Sequence, residues 1–297
     1  MSPPSLLVLC AIDSGEPMRR CRGQSRYLGE LGLRLERRGI RVLCAEPGAA
    51  LGHRPVPGGW REEAVEGVVA VFDRHPTLHA DVLDGWIEQG VAVANPPSFR
   101  SLCDDKLAFA RWAREQGLRV PETVTGGDAR WRDWDRPFVK PLAGWGGRDV
   151  RRHEGEAVSA GQIVQRAVES ARPGESLRIL LQRDGVQGWL TAGSMVRVAP
   201  PGGAVASLAR GARVRPAGPR EHTVLPALLE PIIAALGRAP GGGDAVEVGV
   251  DLILAADGPW ILEWNARPGR SFERIGRADL RAAAQIRPLE TLLRGRT

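Results

Sequence analysis

Along the first 95 residues, apolar runs alternate with amphipathic stretches. "SLLVLCAI" near the start is a continuous apolar run of strand length, and "IRVLCAE", "GVVAVFDR" and "VAVAN" repeat it. Between these runs, "QSRYLGELGLRLERRG" places Leu28, Leu31 and Leu35 on one helical face and stops at Gly39, and "TLHADVLDGWIEQG" forms a second helix. Buried strands separated by helices predict a small, mostly parallel α/β domain over residues 1–97.

The prolines at 96 and 97 mark a boundary to a second region, 98–297. "DDKLAFARWAREQG" predicts a short helix with acids at its start and Gly117 at its stop. "RVPETV" and "RPFVKPL" are strands, followed by the glycine loop "LAGWGG" and by "RDVRR" leading away. "LRILLQ" and "GWLTAGSMVRVA" predict an antiparallel pair around Asp184-Gly185. A helix in "HTVLPALLEPIIAAL" precedes the glycine-rich link "PGGGD". There is no internal repeat.

The segment "EVGVDLILAADGPWILEWNARPG" reads as a hairpin turning at Asp257-Gly258. A three-residue loop, Ala256 to Gly258, pairs Ala255 with Pro259 and Asp251 with Glu263. Asp251, Ile253, Ile261, Glu263 and Asn265 then share one face, and Val250, Leu252, Leu254, Trp260, Leu262 and Trp264 the other. A two-residue loop would put Asp251 on the face opposite Glu263. Two carboxylates and an amide oxygen held together suit Mg²⁺, a hard cation that takes oxygen ligands, and Mn²⁺ is an alternative. Close carboxylates otherwise repel. A solvated face carrying ordinary acids is the other reading of the same pattern.

Composition narrows the class. With 43% hydrophobic and 26% charged residues, the chain is an ordinary globular one. No apolar run reaches the ~20 residues that span a bilayer, and "SLLVLCAI" lacks a basic leader, so it reads as a strand and not a signal peptide. Cys10, Cys21, Cys44 and Cys103 form no CxxC pair, which suits a reducing cytoplasm. The net charge of +6 is spread among acids with no basic tail, so no nucleic-acid surface is expected. The five histidines show no metal spacing and are expected at the surface, and the tryptophans in the core or at interfaces.

Lysine is the anomaly. The chain holds 41 basic residues, of which only Lys106 and Lys140 are lysine. An ammonium is a compact charge on a flexible stem, whereas guanidinium is a bulkier planar fork. If arginine replaced lysine wherever either serves, the survivors mark places where only an ammonium fits, such as a tight phosphate site. The loop after Lys140 has glycines that let backbone N–H groups approach phosphate oxygens. It matches neither the GxGxxG nor the GxxxxGK[ST] template.

Lys106 after an Asn-Pro segment, Lys140 before a glycine loop, and the late pattern Asp251…Glu263-x-Asn265-x-x-Pro268-Gly269 together resemble the ATP-grasp fold of D-alanine–D-alanine ligase, glutathione synthetase and RimK-type ligases. "VFDR", "DDK", "GWLTAG" and "LEWNARPGR" look most like the YheC/YheD branch. The resemblance spans essentially the whole chain and implies an α/β protein, α+β in part: a pre-ATP-grasp domain at 1–97, then an ATP-grasp domain at 98–297 with a lid or central subdomain at about 98–165 and a C-terminal subdomain at about 166–297.

By that resemblance Lys106 and Lys140 hold the α- and β-phosphates of ATP under a loop containing Gly144, Trp145, Gly146 and Gly147. Gln165, Arg166 and Val168 lie at the hinge that reads adenine, and Asp251, Glu263 and Asn265 hold Mg²⁺. Arg178, Arg197, Arg267 and Arg270 face the γ-phosphate, the acyl-phosphate or a substrate carboxylate. Two departures stand out. Trp145 interrupts the glycine loop, and "ASLARGA", with Ser207, replaces the Asn-Gly-Gly expected at the acyl-phosphate clamp.

The function implied is an ATP-dependent carboxylate–amine ligase, working on small-molecule or peptide substrates in the cytoplasm, with neither nucleic acid nor membrane as partner. A homodimer is a common form of the fold. A non-catalytic ATP-binding assembly protein, of the kind associated with spore coats, and an ATP-grasp phosphotransferase are the alternatives.

Overall fold

The computed structural model describes residues 4–10, 25–75, 80–142, 147, 149–184, 188–268, 289–290 and 292–293. The first apolar run forms β1 (Ser5–Leu9), buried along its whole length, as a strand covered on both faces must be. α1 (Ser25–Glu36) packs Leu28, Leu31 and Leu35 against one face of it, and β2 (Arg41–Ala45) pairs with β1 in parallel. β3 (Leu51–Val56) and β4 (Gly59–Ala64) then form an antiparallel hairpin that the sequence pattern did not announce, because "GWREEA" carries no apolar alternation. β5 (Val68–Asp73), α2 (Ala80–Glu88) and β6 (Ala92–Ala94) complete a six-stranded sheet in the order β4-β3-β2-β1-β5-β6, whose last four members are the parallel unit expected.

The two prolines open a helix where only a boundary was expected. α3 (Pro97–Asp104) starts on Pro97, whose missing N–H costs nothing at a first helical position, and buries Phe99, Leu102 and Cys103. Asp105 then caps α4 (Lys106–Glu115), accepting hydrogen bonds at 2.9 Å from the N–H groups of Leu107 and Ala108. Lys106 is therefore the first residue of a well-anchored helix.

β7 (Thr123–Thr125), β8 (Phe138–Pro141), β9 (Arg151–Arg152) and β10 (Gln162–Gln165) make a second sheet in the order β7-β10-β8-β9, with Val124, Trp131 and Val164 as its small core. The strand expected from Arg119 is shortened to Thr123–Thr125, since Pro121 has no N–H to give a ladder.

The third sheet holds β11 (Glu175–Asp184), β12 (Gly188–Val198), β13 (Arg213–Pro216), β14 (Glu247–Ala255) and β15 (Gly258–Asn265), in the order β13-β12-β11-β14-β15. α3, α4 and the long α5 (Pro219–Arg238) cover one face, where Phe99, Phe109, Ile179, Ile232, Val250 and Trp264 pack. Trp264 is boxed by Phe109 and Trp112 at centroid distances of 5.5 and 5.2 Å, fixing β15 against α4.

The β14–β15 hairpin differs in detail from the expectation. Its loop has two residues, Ala256 and Asp257, with Ala255 opposite Gly258, whose φ of 117° favours glycine. That loop alone would set Asp251 against Leu262. A bulge leaves Leu262 unpaired, restores Asp251 opposite Glu263 and brings Asn265 opposite Gly249. The acids meet as expected, by another route. The consequence is an exchange of faces: Ile261 turns into the core, Leu262 borders the cleft described below, and Trp260 lies opposite Ile253. Arg119 grips the tip, with its carbonyl accepting from Ile261 N–H at 2.8 Å and its guanidinium bonded to Asp257 and stacked 4.2 Å from the Trp260 ring.

Buried polar contacts tie the first sheet to the third. Arg74, just after β5, pairs with Glu247 of β14 at 2.7 Å and donates to the Pro268 carbonyl at 2.8 Å. Asn95, with a left-handed φ of 59°, accepts from Val246 N–H at 2.8 Å and donates to the carbonyls of Glu247 and Ala266. Among the described residues no helix is long and apolar enough to cross a membrane, and Cys10, Cys44 and Cys103 are buried.

Candidate functional site

A cleft of about 1940 Å³ opens between the second and third sheets and reaches the end of the first. Lys140 enters from β8. It is buried, and its ammonium donates to Gln165 Oε1 of β10 at 2.5 Å, while Gln165 Nε2 donates to Thr123 Oγ1 at 3.0 Å. Lys106 reaches the same space from the first turn of α4. Burial pushes both ammonium groups below the ordinary lysine range, and the charge of Glu263 acts on both in the opposite sense. The charge of Lys106 adds to the depression at Lys140. The two lysines thus share one acid and lie within electrostatic reach of each other.

The hairpin supplies the opposing charge. Burial alone would raise the Asp251 carboxyl, but the charges of Arg178 and Arg197, with the hydrogen bonds from Arg178, outweigh it and hold the group well below the carboxylate range. Arg178 grips Asp251 with two donors, Nε to Oδ1 at 2.5 Å and Nη2 to Oδ2, and Arg197 Nη1 reaches Oδ2 at 3.2 Å. Glu263 shifts the other way, raised by burial and by the charge of Asp251. Asn265 accepts the Arg267 N–H at 2.9 Å.

Asp251, Glu263 and Asn265 are the residues that could hold a hard divalent cation, with the Asp251 oxygens held here by Arg178 and Arg197. They offer two carboxylates and an amide oxygen, and the repulsion that raises Glu263 is what a cation would relieve. No cluster of three or more His, Cys, Asp or Glu suited to a metal exists among the described residues, so water or phosphate oxygens would have to complete any coordination shell.

The cleft brings together Lys106, Lys140, Gln165, Arg178, Arg197, Asp251, Glu263 and Asn265. Arg166 and Val168 border it after β10, Arg166 exposed and Val168 half-buried. Gly147 borders it with φ at 65°, and a Cβ there would lie 3.0 Å from Ser207 Cβ, so the glycine lets this loop touch the segment after β12. Arg210 of that segment donates to the Val150 carbonyl. Arg267 borders the cleft too, but its guanidinium turns to the first sheet, donating to the His75 carbonyl at 2.7 Å and pairing with Asp104 at 3.2 Å. Gly144, Trp145, Gly146 and Arg270 lie outside the described residues.

Expected at the surface, His53, His75 and His153 are half-buried. The His75 side chain is only 16% exposed, inside the cleft, with Nε2 3.4 Å from Glu46 Oε2. Arg74, Asn95 and Glu247 also had no assigned role, although "VFDR" carried one of them into the motif set. Their importance comes from contacts across more than a hundred residues of chain, as in Arg74 to Glu247 with a separation of 173.

Residues 154–292 match the family model described as YheC/D like ATP-grasp. Among solved structures, D-alanyl-alanine synthetase A from Vibrio cholerae O1 biovar eltor str. N16961 is similar with a TM-score of 0.65 at 12% identity, over 99% of this chain and 99% of that one. A RimK domain protein ATP-grasp from Sphaerobacter thermophilus DSM 20745 gives 0.59 at 20% identity, over 94% of this chain and 98% of that one. N5-carboxyaminoimidazole ribonucleotide synthetase from Thermotoga maritima gives 0.62 at 14% identity, over 90% and 70%. None of the curated proteins matches the sequence. The chain has the ATP-grasp fold, and over residues 154–292 it matches the YheC/YheD-like branch of that superfamily.

Proposed function

We propose that the protein is an ATP-dependent carboxylate–amine ligase, forming an amide through an acyl-phosphate and releasing ADP and phosphate. The observation that carries this reading is the convergence of the only two lysines on the acids of one hairpin across one cleft. Burial lowers both ammonium groups, and a triphosphate would add negative charge to that of Glu263 and favour their charged forms.

In this reading Lys106 and Lys140 hold the α- and β-phosphates, and Gln165 keeps Lys140 in place with a neutral partner, leaving its charge for the nucleotide. A divalent cation held by Asp251, Glu263 and Asn265 would neutralise the β- and γ-phosphates. Arg178 and Arg197, fixed on Asp251, would stabilise charge on the phosphoryl group as the substrate carboxylate takes it. Gly147, which packs on Ser207 at the cleft, belongs to the segment that in this reading would cover the nucleotide and keep water from the acyl-phosphate. Positioning and charge do the work, with no covalent protein intermediate.

The test is a screen of amino acids and short peptides, as acid and amine, for ADP and phosphate release, with mass spectrometry of the product. The ligase reading expects ADP, free phosphate and an amide only when both substrates are present. A phosphorylated product would indicate a phosphotransferase, and ATP binding without turnover under any pair would indicate an assembly protein.

A further inference from the structure

Three neighbouring parallel strands of the first sheet, β2, β1 and β5, end on the same edge. Strand order reverses beside β1: the chain passes from β1 to β2 on one side, and later from β5 to β6 on the other. In open parallel sheets, ligands sit in the crevice outside the carboxyl ends at such a reversal. Here those ends are followed by Glu46 after β2 and by Arg74 and His75 after β5.

His75 is held from three sides. Its N–H donates to Asp73 Oδ1 at 2.8 Å, its carbonyl accepts Arg267 Nη1 at 2.7 Å, and its Nε2 lies 3.4 Å from Glu46 Oε2. Arg267 N–H is itself bonded to Asn265, so one arginine links the His75 backbone to the β14–β15 hairpin. An imidazole set against a carboxylate at the wall of a reaction cleft is the base–orienter arrangement of general acid–base sites. The charged groups around it are Glu46 just after β2, Asp73 at the end of β5 and Arg74 after it, Arg267 after β15, and Asp104 and Arg100 of α3, which pair with Arg267 and Asp73.

The ligase reaction needs a proton acceptor. An amino group is mostly an ammonium at neutral pH and has no lone pair until it loses a proton. Arginine stays protonated and cannot take one, and the two lysines serve phosphate only as cations. Seven acids line the cleft: Asp104, Glu156, Glu169, Glu175 and Asp251 hold arginines, Glu263 is assigned to the cation in the ligase reading, and Glu154 is exposed. Among the described residues lining the cleft, His75 is the one imidazole, the side chain that ordinarily exchanges protons near neutrality.

We propose that His75, oriented by Glu46, is the proton acceptor for an ammonium-bearing second substrate that enters at the carboxyl ends of β1 and β5. The proposal rests on the ligase reading above. The ammonium passes one proton to the imidazole. The freed nitrogen lone pair forms the C–N bond to the acyl carbon, the C–O bond to phosphate breaks, and phosphate leaves with that electron pair. A second proton is lost from nitrogen and departs with phosphate, leaving the neutral amide.

The experiment compares two nucleophiles. Hydroxylamine is largely unprotonated at neutral pH and traps an acyl-phosphate as hydroxamate without a base. Each proteinogenic amino acid is offered as acid with hydroxylamine, and the active acid is then offered with each amino acid as amine. In His75→Ala the ratio of amide to hydroxamate should fall by about 100-fold or more, the scale of general-base catalysis, with partial recovery on adding imidazole. Glu46→Gln should move the ratio the same way by about tenfold. Because a ratio is independent of the folded fraction, poor folding does not imitate this result, and His75→Asn serves where the alanine variant gives no product. A ratio within about threefold of wild type in both His75 variants overturns the proposal. Wild-type protein that yields ADP with neither nucleophile overturns the ligase reading instead, and this proposal with it.

Discussion

Lys140 is buried at the cleft with the neutral amide oxygen of Gln165 as its close partner. A guanidinium in that position would have to fit five donors where one ammonium now fits, beside Gln165. Lys140→Arg is therefore expected to keep the fold and to weaken ATP binding by about 10- to 100-fold, the worth of a hydrogen bond to a charged group. Calorimetric titration with ATP checks this, and binding within twofold of wild type would show that the ammonium has no special role. The scarcity of lysine made this residue legible before any coordinates. His75 was not legible, because what buries it includes Arg267, 192 residues further along the chain.

At the scale of elements, α5 shows how a side chain fixes a helix and gives it pH dependence. Glu221 accepts the Gly218 N–H at 2.7 Å and an Arg215 donor at 3.0 Å. Arg215's hydrogen bond, with help from the Gly218 N–H, overcomes burial and holds this carboxyl at about 2, against an ordinary 4.5. A carboxyl depressed in the folded state adds stability above pH 4.5 and loses it as pH falls toward about 2. Glu221→Gln is predicted to cost about 1–2 kcal/mol at pH 7. Urea denaturation should find that gap clearly smaller near pH 3, and an equal gap at both pH values would contradict the account. Elements with a strong period were readable: α1, α4, α5 and the parallel strands of the first sheet. The hairpin bulge was not, because Ile261 and Leu262 have the same polarity and nothing in their order says which of them faces the core. α3 was hidden by its brevity and by the prolines, which read equally well as a boundary.

The molecule as a whole depends on charges buried between its first and third sheets. The Arg74 and Glu247 side chains are only 3% and 1% exposed, and removing one leaves the other uncompensated. Arg74→Ala is expected to destabilise by about 3–5 kcal/mol, whereas Arg74→Met with Glu247→Leu should cost much less. Equal losses in the single and double variants, measured by chemical denaturation, would show that the ion pair is not what joins the sheets. This junction matters because it sets the distance from the first sheet, with His75, to the hairpin acids. The central claim concerns the cleft that results. A crystal structure with Mg²⁺ and a non-hydrolysable ATP analogue tests it most directly. The account predicts Lys106 Nζ and Lys140 Nζ on the phosphates, with the cation between them and Asp251, Glu263 and Asn265. A nucleotide bound elsewhere, or lysine nitrogens turned to bulk solvent with the acids free of metal, would contradict it.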